Sequence, residues 1–162
     1  MNDKISNPQD MVRKLKKSLK KILKKSDCFY LALKDIAFDD DQSLKQKINA
    51  AEQLLKSSQE EWMTHIMMEE KWLFPFLSSR MPKVKATVLS LQEKCKTIKV
   101  NFEVVQYLCW ELTSGGTGMK RSLTLSKLKT SGRKLVAMID SYLNLEAEYV
   151  EKFMTQNQSN LS

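Results

Sequence analysis

One histidine and one glutamate are the residues of this chain best suited to chemistry. His65 is the only histidine in the 162-residue sequence, and Glu69 follows it four residues later. In an α-helix this spacing places both side chains on one face, a single turn apart. The same face carries Trp62, Trp72 and Phe76, so we expect it to be buried. A carboxylate in an apolar core must be protonated, paired or bound to a cation, and this imidazole and carboxylate can both reach one metal ion.

Long amphipathic helices are predicted to position this pair. Only four Gly and three Pro interrupt the chain, which favours a few long helices over many short strands. Apolar residues recur with helical periodicity over four stretches, from which we predict helices at about 11–36, 44–78, 83–112 and 133–154. Such helices bury their apolar stripes only against one another. We therefore predict an all-α, up-down-up-down four-helix bundle over residues 11–154, with flexible tails at 1–10 and 155–162.

The connections between these helices follow from residue types that break or cap a helix. The run from Phe38 to Ser43 offers side chains that cap the second helix, and Pro82 separates the second helix from the third. Thr113–Gly118 is the clearest loop. We assign no regular structure to the basic, Ser/Thr-rich stretch that follows it, up to Gly132.

The segment around the histidine resembles the second helix of hemerythrin-like domains. His65, three intervening residues, Glu69-Glu70, two more residues and then Leu73-Phe74-Pro75 follow the pattern of that family. Helix order and chain length extend the resemblance to about residues 11–154. The resemblance implies a four-helix bundle that holds an oxo- or hydroxo-bridged iron pair through several histidines and two carboxylates.

Carrying the family pattern over position by position shows that most imidazole ligands are missing. The first-helix histidine position falls on Ser26, and the third-helix position falls on Cys95. The His-to-Glu spacing of the last helix falls best on Tyr142 and Glu146. Both carboxylate positions are thus retained, whereas His65 is the one remaining imidazole. The resemblance implies a reduced site for a single ion rather than a di-iron centre that binds oxygen.

Other interpretations of these positions stay open. The last helix has a second register, two residues later, that would use Asn144 and Glu148 on a more polar face. Iron and zinc are the ions that imidazole and carboxylate favour, but a metal-free hydrogen-bonded pair in the core is an equal alternative. The candidate ligands in the first register are His65, Glu69, Glu146, Cys95 and Tyr142.

The three thiols have simpler interpretations as well. Cys95 and Cys109 lie on an apolar stripe, where a free cysteine usually behaves as a small hydrophobic residue. Cys28 is predicted to face the lysine side of the first helix, so it is the best placed for reaction with solvent reagents. Tyr142 equally fits a core aromatic residue whose hydroxyl is hydrogen-bonded.

Positive charge is concentrated at the N-terminus of this chain, whose formal net charge is +8. Residues 1–25 carry nine Lys or Arg against two acids, and residues 113–134 carry six more basic residues and no acid. The basic face is formed by Lys14, Lys17, Lys20, Lys21, Lys24 and Lys25. It is either the solvated outer side of a bundle helix or a surface that contacts an anionic protein, nucleic acid or lipid.

Several functional classes are disfavoured. No apolar run is long enough for a membrane span, and the N-terminus lacks the apolar core of a signal peptide, so we expect a cytoplasmic protein with reduced thiols. The chain has no Gly-rich phosphate loop, and a hydrolytic site would need the buried His65. We therefore predict a metal-binding or sensing domain that is not an enzyme, or a metal-free interaction protein of the same fold.

Overall fold

The computed structural model describes residues 7–37, 41–80, 82–114 and 118–159. Within these ranges the chain is almost entirely helical and contains no strand. The predicted all-α four-helix bundle is confirmed. The α-helices are α1 (Pro8–Lys34), α2 (Asp41–Met68), α3 (Phe74–Arg80), α4 (Lys85–Thr113) and α5 (Gly118–Ser159), with a π-helical turn at Glu69–Leu73 and a 3₁₀ turn at Pro82–Val84.

The four long helices form a ring in which each packs against two neighbours. Helix α1 contacts α2 and α5, and α4 contacts the same two helices on the opposite side. Neighbours are antiparallel, as expected for short connections. The centre of the bundle is filled by large side chains that are almost fully buried, among them Ile22, Phe29, Leu55, Phe102 and Ile139. Helices α2 and α5 lie across the ring from each other.

The first and last helices, α1 and α5, extend into segments that were predicted from the sequence to be flexible tails. Helix α1 begins at Pro8 because the side chain of Asn7 accepts hydrogen bonds from the backbone N–H groups of Gln9 and Asp10, at 2.7 and 3.1 Å. Helix α5 continues to Ser159, beyond the predicted end. The remainder of the predicted tails, 1–6 and 160–162, lies outside the described residues, as do residues 38–40 of the predicted capping run.

Helix α5 also begins much earlier than the sequence predicted. It runs from Gly118 through the basic, Ser/Thr-rich stretch instead of starting at Arg133. The hydroxyl of Thr124 donates to the backbone carbonyl of Lys120, one turn back, at 2.8 Å, so this hydroxyl is hydrogen-bonded within the helix. Gly132 permits close packing, since a Cβ there would lie 2.3 Å from Leu33 Cδ2. Contact with α1 therefore explains a glycine that looked like a helix end.

A π-helical turn follows directly after the His65–Glu69 pair. The backbone N–H of Phe74 donates to the carbonyl of Glu69, five residues back. Pro75 has no N–H to donate to the carbonyl of Lys71. The missing bond explains why the backbone hydrogen bonds at this point span five residues instead of four. The wider turn keeps both Glu69 and Leu73 in the core. Such π turns occur often at functional sites.

Candidate metal centre

The structure brings three ionisable side chains together in the middle of the bundle. His65 comes from the last turn of α2, Glu69 begins the π turn, and Glu146 faces them from α5. Their exposed fractions are 0%, 0% and 3%, so all three are withdrawn from solvent. Each offers a ligand atom within 4.8 Å of the other two. Because α2 and α5 are diagonal partners, this cluster joins helices that otherwise meet only through the core.

The imidazole lies between the two carboxylates. His65 Nε2 lies 2.7 Å from Glu146 Oε2 and 3.0 Å from Glu69 Oε1. Nε2 is hydrogen-bonded to Glu146 Oε2, and Glu69 Oε1 has no separate hydrogen-bond partner of its own. His65 Nδ1 is also buried without a partner. Buried polar atoms usually have partners, so this cluster has unused capacity to bind a further group.

Burial and mutual charge strongly alter the proton affinities of these groups. Burial opposes the charged form of His65, but the hydrogen bonds and negative charges of Glu146 and Glu69 outweigh it and raise the pKa of His65 to about 9. Burial, reinforced by the charge of Glu146, raises the pKa of Glu69 to about 8, against the opposing effect of His65. Both shifts favour the protonated forms of His65 and Glu69 in the metal-free cluster.

The hydroxyl of Tyr142 orients the carboxylate of Glu69. The hydroxyl of Tyr142, one turn before Glu146 on α5, donates to Glu69 Oε2. Its ring packs edge-on against Trp62, with 5.0 Å between the ring centroids. Burial raises the pKa of Tyr142 far above its ordinary value, so the phenol stays protonated as a donor. Tyr142 is thus placed to position Glu69.

Cys95 does not belong to the cluster of ligand atoms, contrary to the prediction from the family pattern. Its thiol lies against the Tyr142 hydroxyl, on the floor of a groove between α2 and α4 that encloses about 560 Å³. Burial raises the pKa of Cys95 to about 12. The side chains whose ligand atoms converge are His65, Glu69 and Glu146, so Cys95 belongs to the surroundings of the site.

The three clustered residues fit a small divalent ion. One imidazole nitrogen and two carboxylate oxygens are a donor set that suits iron(II) or zinc, and three protein ligands leave a position open. Bonds of about 2.0–2.2 Å in a tetrahedral site would separate the ligand atoms by about 3.3–3.6 Å. The observed separations of 2.7 and 3.0 Å would have to widen by about 0.3–0.9 Å to reach these values.

The remaining positions from the family pattern are placed away from the cluster. Ser26, in the first-helix position, is buried and hydrogen-bonded to Ser58 Oγ at 2.9 Å. Asn144 and Glu148 are both exposed, and Glu148 pairs with Lys152, so the alternative register of the last helix is wrong. The pitch of α5 places Tyr142 and Glu146 on its inner face instead. Ser58 was not predicted, although its position two turns before His65 put it on the same face of α2.

The other two thiols differ in exposure. Cys28 is exposed, as predicted from its helix phase, whereas Cys109 is fully buried and burial raises its pKa to about 12.

The basic face of α1 is solvent-exposed over most of its length. Lys14, Lys17, Lys20, Lys21 and Lys24 are exposed. Lys25 is an exception, because its Nζ lies 3.0 Å from Glu61 Oε1 of α2 and the residue is half-buried.

Comparison with other proteins adds no assignment. No protein-family model, curated protein or solved structure matches this chain. The resemblance to hemerythrin-like domains therefore stays a prediction. Among the described residues, no helix combines the length and apolarity that a membrane crossing requires.

Proposed function

We propose that this protein is a metal-binding helical bundle in which His65, Glu69 and Glu146 hold one divalent ion, iron or zinc. The observation that carries the proposal is the convergence of an imidazole and two carboxylates in the buried core, with their ligand atoms within 4.8 Å of one another. We further propose that the site is a reduced form of a hemerythrin-like centre. A single imidazole supports one ion, and the described residues contain no second cluster of metal ligands that could hold another ion beside it.

The charge balance of the cluster favours a divalent cation. Two carboxylates within 4.8 Å of each other in a buried site repel when both are ionised. In the metal-free protein a proton on Glu69 and a positive charge on His65 relieve that repulsion. A divalent ion replaces both protons and leaves a neutral set of two carboxylates, one neutral imidazole and the ion.

Binding would act on the stability and shape of the bundle rather than on a substrate. The ion would cross-link α2 to α5, between residues 81 positions apart in the chain. Any ligand that binds only the folded state stabilises it by mass action, by about 2.7 kcal/mol when its concentration is 100 times Kd. This coupling is the physical basis for a sensing role without turnover.

The proposal is tested by metal analysis and thermal melts. Protein purified without chelator should contain near-stoichiometric iron or zinc, and adding either ion to the stripped protein should raise Tm by about 5–11 °C, from about 2.7 kcal/mol and 2–4 °C per kcal/mol. His65→Ala should abolish both effects. Glu146→Gln keeps the shape and a hydrogen-bond acceptor while removing the charge, so it serves if the alanine variant does not fold.

Ser58→Ala is the matched control, because Ser58 is buried on the same helix, two turns away from the cluster. It should lower the stability of the stripped protein but keep the metal-dependent rise in Tm. Stripped wild-type protein whose Tm ignores both ions, or a Glu146→Gln variant with an undiminished rise, would refute the proposal.

A second candidate function uses the basic face of α1. Every fully exposed residue of α1 between positions 13 and 24 is Lys or Arg, and the apolar residues between these positions are buried or half-buried. A helix face with no exposed apolar side chain, such as this one between positions 13 and 24, has nothing to insert into a bilayer, whereas phosphates of a nucleic-acid backbone need only cations. The face therefore fits a phosphate backbone contacted without sequence specificity.

Fluorescence anisotropy with a labelled duplex tests this second candidate. If five lysines contact phosphates, the logarithm of the association constant should fall with the logarithm of salt concentration with a slope of about −4.5. The triple variant K17E/K20E/K24E should lose binding. The control K85E/K94E/K99E makes the same charge change at exposed lysines of α4. Equal losses in both variants, or binding to anionic vesicles but not to the duplex, would contradict it.

A further inference from the structure

Helix α4 carries an exposed stripe of apolar and charged residues on the side that faces away from the bundle. Four large apolar side chains on it are more than half exposed, with exposed fractions of 62% for Leu89, 55% for Val100, 55% for Tyr107 and 58% for Trp110. Exposed Glu93, Lys96 and Glu103 lie between them. These seven residues, the α4 outer stripe, are spaced alternately by four and three positions. That is the heptad spacing of a helix that packs against another helix.

The stripe is symmetric about its central residue. Moving outward from Val100, the successive pairs on the two sides are Lys96 with Glu103, then Glu93 with Tyr107 and finally Leu89 with Trp110, and the two members of each pair differ in distance from Val100 by at most one residue. Each of these three pairs is complementary: a cation with an anion, a carboxylate with a phenol that can donate, and an aliphatic residue with an aromatic one.

We propose that the α4 outer stripe is the interface of a homodimer, in which two copies of α4 pack antiparallel about a two-fold axis at Val100. In this arrangement each residue of the stripe meets its complementary partner on the second copy, since a two-fold interface brings residue i against residue j and residue j against residue i. A parallel arrangement would instead place Glu93, Lys96 and Glu103 each against its own copy. Charge complementarity thus selects both the partner and the direction.

The contacts that these residues make within one chain are weak enough to be exchanged. Lys96 pairs with Glu93 at 3.0 Å, but the two side chains are 74% and 72% exposed. Exposed pairs of this kind contribute little to stability. Tyr107 donates to Glu111 at 3.2 Å and its ring lies 5.8 Å from that of Trp110. The stripe extends over about 32 Å, from 1.5 Å per residue, which is long enough for three heptad layers on each side of the axis.

Charge reversal tests the antiparallel pairing directly. Sedimentation velocity from about 1 μM to about 1 mM should show a concentration-dependent dimer of the wild-type chain, over the range in which weak association is measured. Lys96→Glu and Glu103→Lys each place two like-charged contacts across the homodimer, so each variant alone should dimerise at least about tenfold more weakly. An equimolar mixture of the two variants should regain dimerisation, because Glu at 96 of one copy then meets Lys at 103 of the other.

Matched controls separate this interface from general hydrophobic association. Val100→Glu should abolish dimerisation, whereas Leu123→Glu on α5 should not, although Leu123 is as exposed as Val100, at 58% against 55%. Circular dichroism verifies that all variants keep their helices. A monomeric wild-type chain at every concentration would overturn the proposal, and so would a mixture of the two reversal variants that stays monomeric while the wild type dimerises. The proposal does not depend on metal binding.

Discussion

Replacing Tyr142 with phenylalanine isolates the contribution of one hydroxyl group to the buried cluster. The phenol donates to Glu69 Oε2 in a position that is 1% exposed, and no solvent can replace it there. Tyr142→Phe keeps the ring and its edge-on contact with Trp62, at 5.0 Å between centroids. The substitution therefore changes hydrogen bonding and leaves apolar packing almost unaltered.

The expected effect on stability follows from leaving a buried oxygen without its donor. Loss of a hydrogen-bond partner inside a protein costs about 1–3 kcal/mol. For a chain of this length each kcal/mol shifts Tm by about 2–4 °C, so the metal-free variant should melt about 2–12 °C below the wild type. The Tyr142 hydroxyl orients the carboxylate of Glu69 toward the ion, so its loss should also lower the affinity for iron or zinc by about 10–100-fold.

Thermal melts followed by circular dichroism measure the first effect, and competition with a metal indicator measures the second. Tyr149→Phe is the control, since it removes the same hydroxyl from a half-buried tyrosine on α5 whose ring lies near Lys152. That variant should melt within about 2 °C of the wild type, as expected for a substitution worth no more than about 0.5 kcal/mol. If Tyr142→Phe is no less stable than Tyr149→Phe, the hydrogen bond to Glu69 does not support the cluster and the reasoning fails.

Three further predictions concern pH, packing and thiol reactivity. Folding raises the pKa of Glu69 from 4.5 to about 8 and that of His65 from 6.5 to about 9, so the folded protein binds more protons. The stabilisation is fully present when the pH is below the pKa values of the unfolded state, and it is lost as the pH rises through the pKa values of the folded state. The Tm of the stripped protein should therefore fall from about pH 5 to pH 9, and it should fall more steeply than the Tm of Glu69→Gln. Equal slopes for the two proteins would contradict this prediction. Gly132→Ala should lower the free energy of unfolding although alanine gains about 1 kcal/mol of helix propensity, because the added methyl group overpacks Leu33 at a cost of about 1–3 kcal/mol. In urea unfolding, Gly132→Ala should cost less stability when it is made in the Leu33→Ala background than when it is made in the wild type. A thiol reagent should modify exposed Cys28 quickly, half-buried Cys95 more slowly and fully buried Cys109 only on unfolding, and rapid labelling of Cys109 in the native protein would show that the core opens.

The ring order of the helices places the proposed surfaces on different sides of the molecule. Helices α1 and α4 are diagonal, so the lysine face of α1 points away from the α4 outer stripe. A dimer formed through α4 would therefore carry a basic face on each of its outer sides. The metal cluster joins the other diagonal pair, α2 and α5, and neither surface covers it.

Local pattern accounts for what could be predicted from the sequence. Helix number and the inward face of α2 follow from apolar residues repeated every 3.6 positions, a property of each helix by itself. The same periodicity put His65 and Glu69 in the core and Cys28 outside it, as the structure has them. It also led to the wrong start of α5, because a glycine and many hydroxyl side chains weaken the local helical signal.

Relations between helices could be decided only by the tertiary structure. Two registers of α5 were open in the sequence, and the packing of α5 across from α2 selects Tyr142 and Glu146 while it leaves Asn144 and Glu148 in solvent. The helical position of Cys95 matches that of a metal ligand, but its thiol lies against Tyr142 and is not part of the cluster of ligand atoms. The physical reason is that periodicity determines which face of a helix is buried, whereas its height and rotation against a distant helix depend on how side chains from several helices fill the same space.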